Sequence, residues 1–317
     1  VYTWKPAWTL AIAQSSEGTW NNAVLRPPTP TSRSAYAGIG TVPAAHRLLE
    51  LGWDRESPPL VNARRPLFRL LAEDTDPRFC YELAAESRDP DAAAHARGVL
   101  RAAAAGALAH AGYGTDPRLR GAAQRMRQRI QDFLESPLAE DPWVKHEGKS
   151  VLSADAAPPS VHFLIMLAFM PVFRAEHDEF MRLLLAYFTR ALPRHEAVQL
   201  AGTKPVATPG LVLGDPLAAR QAADSDVPFT LFWLELMARL ELLDRHEGWK
   251  RQFEKMLDAR DRDLMWRPGK GQTMTSSRPE VWPFTGLVAP RDGAPDHEVT
   301  FRLGLIARLA GRELHFV

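Results

Sequence analysis

Cysteine is nearly absent. Cys80 is the only one in 317 residues, which excludes an intramolecular disulfide and any zinc site built from several thiolates. Charge of one sign is also lacking. The net charge is +1, so the chain as a whole offers no field to draw in nucleic acid or an anionic membrane. No run approaches 18 apolar residues, so no transmembrane segment is expected. No basic-then-apolar leader opens the chain. A cytoplasmic location is therefore the default expectation, unless a leader has been removed ahead of residue 1. Three catalytic signatures are missing too: a phosphate-cradling glycine loop, a Gly-x-Ser-x-Gly elbow and His-Glu-x-x-His. Gly269-Lys270-Gly271 is a basic turn too short for a nucleotide. No cofactor is expected.

What remains is a long chain of ordinary globular composition, 45% hydrophobic and 24% charged, able to bury a large core. Its apolar residues recur with helical period nearly throughout. Helices are expected over 41–51, with Thr41 as N-cap, over 60–71, interrupted by Pro66, and over 79–85. The clearest pair is 90–111, thin and alanine-rich, followed by 119–134, amphipathic, with Asp116 capping the second. Residues 135–157 read as a connection. Residues 158–170 are apolar all round and so expected to be buried, and 176–192 is their amphipathic partner. Residues 193–223 read as wrapping loop. Further helices are expected over 227–243, 248–260 and 297–309, with a Gly/Pro-rich loop over 265–295.

A buried helix, a tight turn and an amphipathic helix thus recur, with turns near Gly52, Gly112, Pro171 and Asp244. Buried helices in an inner layer and amphipathic ones in an outer layer suit such a repeat. Two arrangements share the pattern: a closed (α/α) toroid and an open solenoid of shorter repeats. The toroid is the favoured reading.

The first twenty residues add a motif. An apolar helix runs from Lys5 through Leu10 into Gln14, then come three residues, Gly18, one residue and Trp20. This resembles the QW motif of terpenoid cyclases, a basic residue, an aromatic or Leu, three residues, Gln, a short gap and Gly-x-Trp. Lys5 stands further from Leu10 than in that pattern, and one good copy occurs here. A glutamine can bond backbone groups left open at a helix end, and a tryptophan can cover them. The resemblance implies an all-α fold, an (α/α) toroid of about five to six helical hairpins forming a single domain over 1–317, as in terpenoid cyclases and protein prenyltransferases.

Candidate chemistry gathers at the starts of the expected buried helices. His46, His95 and His162 occupy the first turns of three of them, where imidazoles can cap, bond a loop, shuttle protons or hold a metal. No metal site is expected. Asp76 and Cys80 do not match the Asp-x-Cys…His zinc set of protein prenyltransferases, and Cys80 reads as buried and inert. Asp224-Ser225-Asp226-Val227 resembles the Asp-x-Asp-Asp acid motif of class II terpenoid cyclases, with Val227 in place of the last Asp. The resemblance implies Asp226 as the acid that protonates an alkene or epoxide and Asp224 as its partner. The reading from the residues alone is that Asp226 caps the next helix. Phe229, Trp233, Trp282 and Phe284, with His46 and His162, are the substrate-facing candidates. Phe232 and Trp233 also suit plain core filling.

The expected function is binding or acid-catalysed cyclisation of a small, apolar, isoprenoid-type substrate. The alternatives are a glycan-active (α/α) barrel, lyase or hydrolase, using carboxylate pairs and Trp platforms, and a toroid that only binds a partner. Oligomeric state is not readable.

Overall fold

The computed structural model describes residues 4–29, 31, 33–72, 76–190, 198–208, 210–219, 221–276 and 294–313. About 55% of the chain is helical. It packs as two compact units, one of Val1–Phe188 with Leu192–Leu213, the other of Thr189–Ala191 with Gly214–Val317.

The first unit carries α1 (Lys5–Ile12), α2 (Thr41–Glu50), α3 (Pro58–Ala72), α4 (Pro90–His110), α5 (Pro117–Leu134), α6 (Val161–Ala168), α7 (Pro171–Ala175) and α8 (Asp178–Phe188). Here α2, α4 and α6 pack side by side, and α3, α5 and α8 do the same, each of α3 and α5 also lying against α4. The first three are largely buried along their length, while α5 and α8 bury one face only. Alanine makes this layering close. Ala102 to Ala105 are all buried, and a Cβ added at Gly106 would meet the His162 carbonyl at 3.0 Å. A larger side chain there would push α6 away from α4. Asp89 caps α4 by accepting from the amides of Asp91 and Ala92, and Asp116 caps α5 by accepting from that of Arg118. Both helices then have proline in their first turn, as helix starts favour.

The N-terminal stretch is built around Trp20, which is fully buried. Its indole Nε1 donates to the Leu10 carbonyl at 2.8 Å, closing one of the acceptors left open at the end of α1. Gln14 Nε2 donates to the carbonyls of Gly18, at 3.1 Å, and Pro59, at 2.7 Å. Gly18 has φ +82°, and a Cβ there would lie 2.3 Å from the Asn62 carbonyl oxygen. That carbonyl is the one Pro66, four residues on, leaves without its helical donor. Thus Pro66 stays inside α3 without ending it, and the turn at Gly18 fits against the gap. Thr41 is not the N-cap of α2, as expected; Gly40 is. Its hydroxyl instead donates to the Ala23 carbonyl at 2.7 Å and accepts from the Trp20 amide at 3.2 Å.

The expectation of an all-α chain needs one correction. A four-stranded sheet lies in the first unit, order β1-β2-β3-β4, with β1 (Trp143–His146), β2 (Lys149–Leu152), β3 (Val198–Ala201) and β4 (Lys204–Ala207). Two antiparallel hairpins meet through a parallel pairing at Leu152 and Gln199. Both fall in stretches read from sequence as connection and loop. Glu147 (φ +46°) and Gly148 (φ +77°) form the first two-residue turn, both with the positive φ of a type I′ turn. Gly202 (φ +60°) opens the second. A helical segment is expected over 79–85; the chain instead forms a 3-10 stretch, Pro77–Leu83, broken at Tyr81 with φ +42°.

The second unit carries α9 (Ala222–Ser225), α10 (Val227–Arg239), α11 (Glu247–Asp258) and α12 (His297–Leu309). α10 is buried on all sides and packs along α12. Trp233 meets Trp249 edge to face at 5.7 Å. The Trp249 indole donates to Asp215 Oδ1 at 2.8 Å, and His246 stacks on the same ring at 4.1 Å. Among the described residues no helix is long and apolar enough to cross a membrane.

Candidate functional site

A cavity of about 560 Å3 opens in the first unit. Its walls come from the N-terminal half of α4, the middle of α5, the connector leading into α6, and the β3–β4 hairpin with the residues after it. The hairpin is tied in place by short-range chemistry. Lys204 Nζ lies 2.7 Å from Asp89 Oδ2, joining β4 to the cap of α4. Gly202 sits so near α4 that a Cβ would come within 2.2 Å of Asp91 Oδ2. Gln199 Nε2 donates to the carbonyls of Ser153 and Ala156, at 3.0 and 2.5 Å, which holds the connector wall.

Much of the lining is small and apolar, including Ala94, Ala102, Ala122, Ala154, Met126 and Ile130. Set into it are three arginines, Arg101 on α4 and Arg125 and Arg129 one turn apart on α5, with two histidines, His95 and His162. Asp91 is the only carboxylate among the described lining residues. Neither Arg125 nor Arg129 makes an ion pair or side-chain hydrogen bond with any described residue. Burial, and then the charge of Arg125, lower the pKa of Arg101. His95 is lowered by burial and then by Arg129. Its Nε2 shares a 3.0 Å hydrogen bond with Thr208 Oγ1. The arginines therefore set a positive field inside the cavity.

The histidines expected at helix starts divide. His95 and His162 line the cavity together. His46 does not line it; it is buried between α2 and α4, its Nδ1 2.8 Å from that of His110, with the two rings stacked at 5.0 Å. His110 stacks in turn on Phe169 at 4.1 Å. Burial lowers the pKa of His46 well below the ordinary histidine value, and the neighbouring His110 and His162 add to it. Burial also pushes His162 down, to about 4, and its Nδ1 has no hydrogen-bond partner among the described residues. Among the described residues no group of three or more His, Cys, Asp or Glu is placed to hold a metal ion.

Those two shifts make the fold acid-sensitive. An unfolded histidine takes up a proton near pH 6.5, while His162 in the folded chain resists until about pH 4. Stability is thus whole above pH 6.5 and falls as pH drops towards 4, by roughly 3 kcal/mol from His162 alone. Urea unfolding between pH 7 and pH 4 checks this. In His162→Gln the slope should flatten visibly, and an unchanged slope would show that His162 is not the group responsible.

The remaining candidates lie in the second unit. Asp226 is 6% exposed and is the N-cap of α10, its Oδ1 accepting from the Phe229 amide at 2.9 Å and its Oδ2 from Ser276 Oγ at 3.3 Å. Asp224 accepts from Gln272 Nε2 at 3.0 Å and Lys255 Nζ at 2.9 Å, and these bonds lower its pKa. Phe229 and Trp233 are both buried, their rings stacked at 6.4 Å on successive turns of α10. Trp282 and Phe284 lie outside the described residues. The candidate set therefore falls into two groups, His46 and His162 in the first unit and Asp224, Asp226, Phe229 and Trp233 in the second.

Sequence reasoning passed over Arg101, Arg125, Arg129 and Thr208. A signal existed for two of them. Arg125 and Arg129 stand four apart on one helix face, and among the residues of α5 the lone acid, Asp132, is not placed to pair both. Like charges four apart on a helix repel unless an acid stands beside them. No family model, curated protein or solved structure matches the chain.

Proposed function

We infer that the first unit binds a small organic anion with an apolar body, of the isoprenoid type that the N-terminal resemblance implies, such as an isoprenyl diphosphate. One observation carries this reading: Arg125 and Arg129, without partners among the described residues, face the same alanine-lined cavity as Arg101 and His95. Like charges gathered around one cavity, the half-buried Arg101 among them, repel one another, and a bound oxyanion relieves them. Guanidinium forks suit the several acceptor oxygens of a diphosphate. The alanine, methionine and isoleucine surface suits a hydrocarbon chain. The (α/α)-toroid reading goes with it, supported by the two layers α2-α4-α6 and α3-α5-α8.

Acid-catalysed cyclisation is a further step that the geometry supports less. An acid must present a proton on a carboxyl oxygen, and both oxygens of Asp226 accept from donors. The cap accounts for Oδ1 and the Ser276 hydroxyl for Oδ2. The glycan-active alternative calls for paired carboxylates at one mouth, whereas the cavity lining offers Asp91 alone.

The test is calorimetric titration with farnesyl diphosphate, farnesol and inorganic diphosphate. Farnesyl diphosphate should bind tightest, since it alone uses both kinds of wall. Arg125→Gln with Arg129→Gln should weaken it by about 100-fold, as expected for two charge-assisted contacts at about tenfold each. Equal binding of farnesol and its diphosphate would remove the anion from the reading. No binding of either would end it.

A further inference from the structure

A second cavity, of about 580 Å3, lies in the same unit between α3 and the start of α5, and shares no lining residue with the first. Four of the residues around it are arginines: Arg64, Arg65 and Arg69 from α3 and Arg118 from α5. Among the described lining residues the one carboxylate is Asp116, and it is already spoken for. Arg118 holds it through Nε at 3.0 Å and Nη2 at 2.8 Å, while its guanidinium lies 3.8 Å above the Phe68 ring. That pair is neutral in sum and fixed by the aromatic ring beneath it. Arg64 donates to the Tyr113 hydroxyl at 3.3 Å, an uncharged partner that leaves its charge uncancelled. Arg65 and Arg69 make no ion pair or side-chain hydrogen bond with any described residue. They stand four residues apart on one helix face, where like charges repel.

Among the described residues Arg64 and Arg65 have no carboxylate partner and Arg69 has only the through-space charge of Asp76, so the three guanidiniums give one concavity a positive field that draws an anion. Their count and fork geometry favour a group with several acceptor oxygens and two charges over a single carboxylate. The cavity is also far larger than a bare oxyanion needs, leaving room for an organic body. We propose that the α3–α5 concavity, through Arg64, Arg65 and Arg69, is a binding site for a phosphoryl dianion, supplied as free phosphate or as a small phosphate monoester. Arg118 and Asp116 form its rigid rim. This site is independent of the isoprenoid cavity and stands or falls without it.

Calorimetric titration at constant ionic strength tests it, with inorganic phosphate and glycerol 3-phosphate as the two probes. Both are run against the unaltered chain, Arg65→Gln with Arg69→Gln, and Arg125→Gln with Arg129→Gln. Arg65 and Arg69 are exposed, so their replacement should leave the thermal unfolding transition in place, and that transition is recorded alongside. Binding should weaken at least about tenfold in the α3 variant and stay within about twofold in the α5 variant. Whichever probe binds tighter names the source, free phosphate or ester. Absence of binding by both probes, or equal binding in the α3 variant, overturns the proposal. Acetate binding as tightly as phosphate overturns it too, since a single carboxylate would then suffice. Loss of binding in the α5 variant alone would place the oxyanion in the first cavity and overturn it as well.

Discussion

Trp20→Ala is expected to lower the stability of the first unit by about 3–5 kcal/mol, the range for deleting a buried tryptophan. Three losses add up. The indole is fully buried, so its removal leaves a cavity. The Leu10 carbonyl loses its donor at the end of α1. The Trp20 amide, held by Thr41 Oγ1, loses the side chain that fixes the strand of chain around it. Trp20→Phe separates these terms, because it keeps most of the ring volume and discards only the indole N–H. It should cost about 1 kcal/mol or somewhat more, the scale of one hydrogen bond with its acceptor left buried. Urea unfolding followed by circular dichroism reads both variants. A midpoint in Trp20→Ala within experimental error of the unaltered chain would mean that the N-terminal turn adds nothing to the fold.

Glu235→Leu should destabilise the second unit on the same scale, by about 3–5 kcal/mol, for a different reason. Glu235 is 8% exposed and Arg302 6%. Arg302 Nη1 lies 2.9 Å from Glu235 Oε2, bridging α12 to α10, and Arg239 holds the other oxygen through Nε at 3.0 Å and Nη2 at 2.9 Å. Removing the carboxylate takes from the buried Arg302 its shortest ion pair and leaves the longer one to Glu298, at 3.4 Å, so its desolvation is offset less. Arg239, more exposed, can turn to water. Adding Arg302→Met to Glu235→Leu should therefore restore a large part of the loss, since an apolar pair of similar volume is often as stable as the buried ion pair it replaces. If the double variant is no better than the single one, the penalty comes from packing and not from the weakened pairing of Arg302. The double-mutant comparison gives the coupling directly.

Much of the helical framework could be read from periodicity and capping. Asp116-Pro117 announced α5, and Asp116 caps as expected, while Asp89 does the same for α4. The thinness of α4 followed from its alanines. Thr41 misled because a threonine before proline-containing helix sequence usually caps, while here its hydroxyl is drawn away to Ala23 and Trp20, contacts distant in sequence. The sheet was missed although Glu147-Gly148 carries a hairpin-turn residue. Its strands are four residues each, too short for alternation to stand out. The cavity was only half legible. His95 and His162 stood out because imidazoles in a first helical turn can cap, bond a loop or move protons, whereas Arg125 and Arg129 look like any polar helix face and are exposed at the cavity rim. Nothing local in a sequence tells an arginine that faces water from one that faces a cavity.

The hairpin β3–β4 has one more consequence. Leu200 and Pro205 are opposite one another, one pair in from the two-residue turn. In such a hairpin the pair flanking the turn exchanges hydrogen bonds and the next pair does not, so the nitrogen of residue 205 is directed at the open margin of the sheet. Being proline, it offers a ring there in place of an N–H, and Lys204 beside it adds a charge. A sheet of four short strands would otherwise invite a foreign strand to extend it. The same hairpin that walls the cavity thus ends the sheet on its β4 side, and chain-to-chain strand growth is blocked at that margin.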